Sequence, residues 1–184
     1  MVILASKSPR RKELLAQLGV EFQIIPAVGE EVADLSLDKA KVAESIALHK
    51  AREVFAKHPG DIVIGADTIV VLGDEILGKP KDNDDERRML TELSGRMHYV
   101  YTGYAVIARD YCESGADVTK VYFNRLSEET INAYVESGLG LDKAGGYGIQ
   151  DGFPLVEKIE GSYSNVVGFP QEVFGELIKK YNIK

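Results

Sequence analysis

Ile62-Val63-Ile64-Gly65-Ala66 is the stretch that decides the fold of this chain. A short continuous apolar run of this kind reads as a strand buried on both faces, as in a parallel or mixed sheet. Downstream, residues 69–72 and 75–77 flank Gly73-Asp74 as a hairpin, and residues 84–93 form a helix ended by Gly95. Residues 99–109 and 118–123 read as long strands separated by a turn at Cys112-Glu113-Ser114-Gly115. Ser127 caps a helix running to Val135, and residues 171–181 make the last one. Upstream, a strand over residues 2–5 precedes a helix carrying Leu14, Leu15 and Leu18, which Gly19 stops. A second strand over 22–25 ends at Pro26, and Gly29-Glu30-Glu31 forms an acidic loop. Ala40, Ala43, Ala47, Ala51 and Val54 then mark a long amphipathic helix over 37–56, with Ser36 as its cap. Strands interleaved with helices predict an α/β or mixed α+β class built on a central sheet. The middle hairpins are expected to form a second lobe, leaving a cleft between the two.

The N-terminal strand runs into Ser6-Lys7-Ser8-Pro9-Arg10-Arg11-Lys12. Ser8 is a natural N-cap and Pro9 suits the first helical position, so three cations fall in the first turn. Positive charge there opposes the helix macrodipole by about 0.3–1 kcal/mol per charge, and a bound anion would compensate. Free N–H groups already point out of that helix end. A solvated basic turn is the alternative; the reading adopted is a phosphate site.

Composition narrows the choice of partner. The chain has 184 residues, enough for one domain or two joined lobes, and its net charge of −7 comes from 29 acidic against 22 basic side chains. Such a chain repels nucleic-acid backbones, so a local basic cluster favours a small anion over a long polyanion. There is no secretory leader pattern and no long apolar run, and Cys112 is the only cysteine. These features point to the cytoplasm, with neither a membrane span nor a disulfide framework.

Asp67 follows the buried run, where a carboxylate could hold a divalent cation or take a proton from water. A strand-end Asp bonded to its own turn is the competing explanation. Glu30 and Glu31 offer further carboxylates, and Lys79 follows in Gly78-Lys79-Pro80. Two acids for a metal and several cations for phosphates are the parts phosphoryl chemistry needs. Lys79 also suits a surface turn, and Lys50 a solvated helix face. Around Tyr147, the glycines of residues 142–150 would let backbone approach a ligand closely, while Gln150 offers a donor and an acceptor matched to a pyrimidine edge. A plain glycine-rich turn explains the same residues. No P-loop, dinucleotide fingerprint, zinc spacing or Ser-His-Asp set is present.

Taken in order, Leu4-Ala5-Ser6-Lys7-Ser8-Pro9-Arg10-Arg11, Gly65-Ala66-Asp67-Thr68, Gly78-Lys79-Pro80, Leu93-Ser94-Gly95, Tyr101-Thr102-Gly103, Asp142-Lys143-Ala144-Gly145, Tyr147-Gly148-Ile149-Gln150 and Gly161-Ser162-Tyr163 resemble the Maf family of nucleoside triphosphate pyrophosphatases. That resemblance implies one domain over residues 1–184, with a fold like that of inosine triphosphate pyrophosphatases: an elongated mixed sheet flanked by helices, two lobes and a cleft. It implies metal-dependent hydrolysis, with Mg²⁺ or Mn²⁺, of a nucleoside triphosphate to monophosphate and pyrophosphate. Asp67 matches the family's proton acceptor, and Glu31 joins it as a metal ligand. Arg10, Thr68 and Gln150 match the branch acting on dTTP and UTP; an aromatic residue tends to replace the arginine in the 7-methyl-GTP branch. Ser8, Arg11, Lys50 and Lys79 align with other active-site positions, Lys79 easing departure of pyrophosphate. Pairing of two copies as a homodimer is also implied. The family's older association with septum formation leaves a second expectation, a regulator acting by binding without turnover.

Overall fold

The decisive apolar run belongs to a strand twice as long as its sequence pattern indicates. The computed structural model describes residues 1–184, and in it Ile62–Leu72 (β3) is one continuous strand of 11 residues. Asp67 and Thr68 therefore lie inside a strand and do not end one, which corrects the expectation of a break. Aspartate is unfavourable in strands on its own account. Its side chain is tolerated here because a partner from another element meets it, as described below.

Seven strands form one mixed sheet in the order β2-β1-β3-β5-β6-β7, with β4 paired to β3. Val2–Leu4 (β1) runs parallel to both Phe22–Ile24 (β2) and β3, and its register with β3 ends at Leu4↔Ile64. Beyond that pair β3 continues, so Asp67 lies past the carboxyl end of its parallel neighbour β1. Glu75–Leu77 (β4) pairs antiparallel with β3 around Gly73. Met97–Ile107 (β5) and Cys112–Phe123 (β6) make the long central hairpin. Its turn lies at residues 108–111, closed by Ala108 N–H donating to Tyr111 O, and not at 112–115. Turn-forming residues are pulled into the strand because sheet pairing overrides local preference. Val156–Glu160 (β7), not anticipated, pairs with β6 at the sheet edge.

Pro9–Gln17 (α1) starts as expected, Ser8 Oγ accepting from Arg11 N with Pro9 in the first turn. Lys39–Lys57 (α2) is capped by Asp38, which accepts from Lys41 N at 3.1 Å. Ser36, the expected cap, donates its hydroxyl to Asp34 instead. Asn83–Leu93 (α3), Glu128–Ser137 (α4) and Gln171–Lys180 (α6) match their predicted positions. Tyr163–Val167 (α5) is a five-residue helix. No helix is long and apolar enough to cross a membrane.

The chain divides into two compact units. The first comprises residues 1–68, 101–117 and 164–184. Its core alternates along the strands as pleating requires. Ile3, Val63 and Ala105 pack with Ala51 and Val54 of α2, whereas Leu4, Ile64 and Val106 pack with Leu15 of α1 and with Phe174 and Leu177 of α6. Helices thus cover both faces. The second unit, residues 69–100 and 118–163, is organised around His98, Phe123 and Tyr147, whose rings meet edge to face.

Candidate active site

Two missing side chains bring a helix unusually close to the sheet. A Cβ on Gly65 would lie 2.6 Å from Ala47 O, and one on Gly103 would collide with the backbone of Ala43. With hydrogen atoms at both positions, α2 lies directly on β3 and β5. Lys50, one turn along α2 from Ala47, then reaches Asp67 across the same face, Nζ donating to Oδ1 at 2.6 Å. Asp67 is only 8% exposed. The lysine that sequence left between a surface role and a site role is thus an internal ion-pair partner.

Glu31 joins the same ammonium at 2.5 Å from the loop between β2 and α2. That loop is fastened by Glu53, also on α2, whose carboxylate accepts from Val28 N at 2.9 Å and Gly29 N at 3.0 Å. These two backbone bonds hold the Glu53 carboxyl below its ordinary range. Position 29 suits glycine, since a Cβ there would press on Glu53 Oε2 at 2.8 Å. Lys50 and Glu53 together make α2 the jig for the acidic loop. Nothing in the sequence singled out Glu53.

On the other face of β3 stands Thr68, because neighbouring residues of a strand point to opposite sides. Its hydroxyl accepts from Arg11 Nη2 at 3.2 Å. Arg11 also donates from Nε to Gly168 O at 2.9 Å and from Nη1 to Ser6 Oγ at 3.3 Å. Three of its N–H groups therefore tie α1, the end of β1, β3 and the turn after α5 together. Burial drags the guanidinium below its ordinary pKa, with Asp67 opposing the shift and Arg10 adding to it. Arg11, expected from the sequence to meet substrate, thus stands beside the site with three of its N–H groups engaged within the protein. Ser8 caps α1, and its backbone N–H donates to Ser6 Oγ at 3.2 Å. Arg10, half-buried, occupies the same first turn.

Behind Thr68 lies a second hydroxyl, that of Thr102, to which the sequence assigned no role of its own. Thr68 Oγ1 and Thr102 Oγ1 are 3.0 Å apart, and Thr102, fully buried, donates to Asn165 O at 3.0 Å.

Lys79 and Gln150 belong to the second unit, and both side chains are exposed there. Gly145 N donates to Gly78 O at 3.0 Å, linking the turn that bears Lys79 to the glycine tract leading to Gln150. That tract is filled from within. Cβ atoms on Gly145, Gly146 and Gly148 would meet Val70, Pro80 and Asp151 respectively, and Gly145 and Gly146 adopt φ +74°. Gly148 N donates to Tyr134 OH, which in turn donates to Asp151. Internal packing accounts for these glycines, where sequence had suggested room for a ligand.

No group of three or more His, Cys, Asp and Glu side chains forms a cage able to hold a metal by itself. What the first unit offers is a carboxylate pair, Asp67 and Glu31, converging on one positive charge.

Residues 1–181 match the family model described as Maf-like protein. A Deinococcus radiodurans protein named dTTP/UTP pyrophosphatase is 46% identical, covering 97% of this chain and 91% of that protein. A Thermococcus kodakarensis protein of the same name is 49% identical over 96% and 95%. Among solved structures, a dITP/XTP pyrophosphatase from Mycobacterium abscessus superposes over 98% of this chain and 96% of that one, at 15% identity and a TM-score of 0.47.

Proposed function

This chain belongs to the Maf family, and on that premise we propose that it is a dTTP/UTP pyrophosphatase, a hydrolase releasing pyrophosphate and the nucleoside monophosphate. One observation carries the chemistry: a nearly buried carboxylate, Asp67, fixed by Lys50 with Glu31 on the same ammonium. Asp67 accepts the proton of the attacking water as the water oxygen bonds to the α-phosphorus. The bond from that phosphorus to the bridging oxygen breaks, and pyrophosphate departs with the electron pair. Ser8, Arg10, Arg11 and Lys79 neutralise the triphosphate, with Lys50 orienting Asp67. Thr68 and Gln150 read the base.

A divalent cation fits this donor set. Mg²⁺ takes one or two protein carboxylates and completes its shell with phosphate oxygens and water, so no protein-only cage is needed. Asp67 and Glu31 would hold it, and bound there it would supply charge neutralisation to the triphosphate. A cytoplasmic setting, expected from the sequence, and a homodimeric state, implied by the family resemblance, accompany this reading.

The test is incubation of the protein with Mn²⁺ or Mg²⁺ and each of dTTP, UTP, CTP, GTP, ATP and 7-methyl-GTP, assaying pyrophosphate and orthophosphate separately. Pyrophosphate from dTTP and UTP, released about a hundredfold or more slowly by Asp67→Asn, is the expected result. Orthophosphate release, or a variant that turns over at the wild-type rate, would refute it.

A further inference from the structure

Thymine and uracil share an imino N3–H donor where cytosine carries an N3 acceptor. Gln150 cannot by itself tell these apart, because its amide offers both a donor and an acceptor and can turn over. A freely rotating hydroxyl cannot either. Selectivity at this point needs a group whose proton is committed elsewhere.

The hydroxyl chain behind Thr68 meets that need by simple counting. A hydroxyl has one proton and two acceptor lone pairs. The Asn165 carbonyl can only accept, so the single proton of Thr102 points to Asn165 O. Thr102 is then left only as an acceptor toward Thr68, so the Thr68 proton must point to Thr102. Arg11, which can only donate, takes one of the two remaining lone pairs on Thr68. Every proton direction from Arg11 through Thr68 and Thr102 to Asn165 is determined. Thr68 keeps one lone pair and no proton for anything else. The residue is only partly buried, and a Cβ on Gly168 would press to within 3.2 Å of its oxygen, so glycine there keeps that approach free of a side chain.

We infer that Thr102 is a specificity-determining positioning residue: by fixing the direction of the Thr68 hydroxyl, it makes Thr68 an obligate acceptor that takes the imino N3–H of thymine or uracil and rejects cytosine. The inference rests on the proposed base-reading role of Thr68.

The discriminating measurement is kcat/KM for UTP and CTP in wild type, Thr102→Val, Thr102→Ser and Thr68→Val, with circular dichroism of each. Thr102→Val frees the Thr68 proton to rotate toward cytosine, and the UTP-to-CTP ratio is expected to fall about tenfold or more. Thr102→Ser keeps the chain and should retain the wild-type ratio. Equal losses for both nucleotides in Thr102→Val would overturn the inference, leaving Thr102 a packing residue. A Thr68→Val ratio equal to wild type would instead show that Thr68 does not read the base, and the inference would fall with that premise. Should Thr102→Val fail to fold, Thr102→Ala carries the same comparison.

Discussion

Asp67 and Glu86 are two buried acids with opposite lives. Asp67, in the first unit, is ion-paired at 2.6 Å with an ammonium that itself holds a second carboxylate. Glu86, on α3 in the second unit, is fully buried, and neither of its carboxylate oxygens has a hydrogen-bond partner. Burial pushes the Glu86 carboxyl up to about 7, only partly opposed by Lys143 and Arg87. His98, in the same unit, behaves alike: burial lowers it to about 3, and its Nδ1 has no partner. The first unit pays for charge with dedicated partners, whereas the second avoids charge at these positions.

Removing the charge of the first acid has the largest expected effect. Asp67→Asn should lower kcat by about 10²–10⁴-fold while nucleotide binding, followed by calorimetry, changes little. Arg11→Ala strips three internal bonds at once and should destabilise the protein by about 2–3 kcal/mol in denaturant titrations. Arg11→Lys should recover little of this, since an ammonium lacks the planar fork that reaches three acceptors.

Substitution at the second acid sharpens the contrast through pH. With its pKa raised from 4.5 to about 7, Glu86 binds more proton in the folded than in the unfolded chain across that window. Its contribution to stability is complete below 4.5 and declines as pH rises toward 7. The stability of Glu86→Gln relative to wild type should therefore grow from pH 4.5 to 7 and level off beyond. His98→Gln should show the mirror image, gaining on wild type as pH falls from 6.5 toward 3. Thermal melts at half-unit steps would read both; parallel curves would mean that neither group titrates as its burial demands. The smallest effect falls on Glu53→Ala, which releases the loop bearing Glu31. A few-fold rise in KM with little change in kcat is expected from steady-state kinetics.

Local interactions were legible in the sequence and distant ones were not. Ser8 and Pro9 announce the start of α1 because a cap bonds only three residues ahead. Ser36 misled because Asp34, two residues back, takes its hydroxyl and leaves Asp38 to cap. Asp67 looked like the end of a strand because nothing nearby in sequence explains an acid inside one; its explanation is Lys50, 17 residues away on α2. Cys112-Glu113-Ser114-Gly115 has turn composition, yet Gly115 is needed in β6 because a Cβ there would strike the Tyr104 hydroxyl. Val156–Glu160 escaped notice as an edge strand with only two half-buried apolar residues. For the site, Asp67, Glu31 and Lys50 were named from sequence and do meet. Thr102 and Glu53 act through backbone groups or through another side chain, which no residue pattern encodes.

The close seating of α2 carries a warning for protein engineering. Glycine-to-alanine replacement is a standard route to a more heat-resistant protein, because it narrows the unfolded ensemble. At Gly65 and Gly103 the added methyl has no vacant volume to enter. Either substitution would lift the helix and carry the Lys50 ammonium away from Asp67. A stabilisation campaign that treats all glycines alike would thus separate this buried ion pair at these two positions.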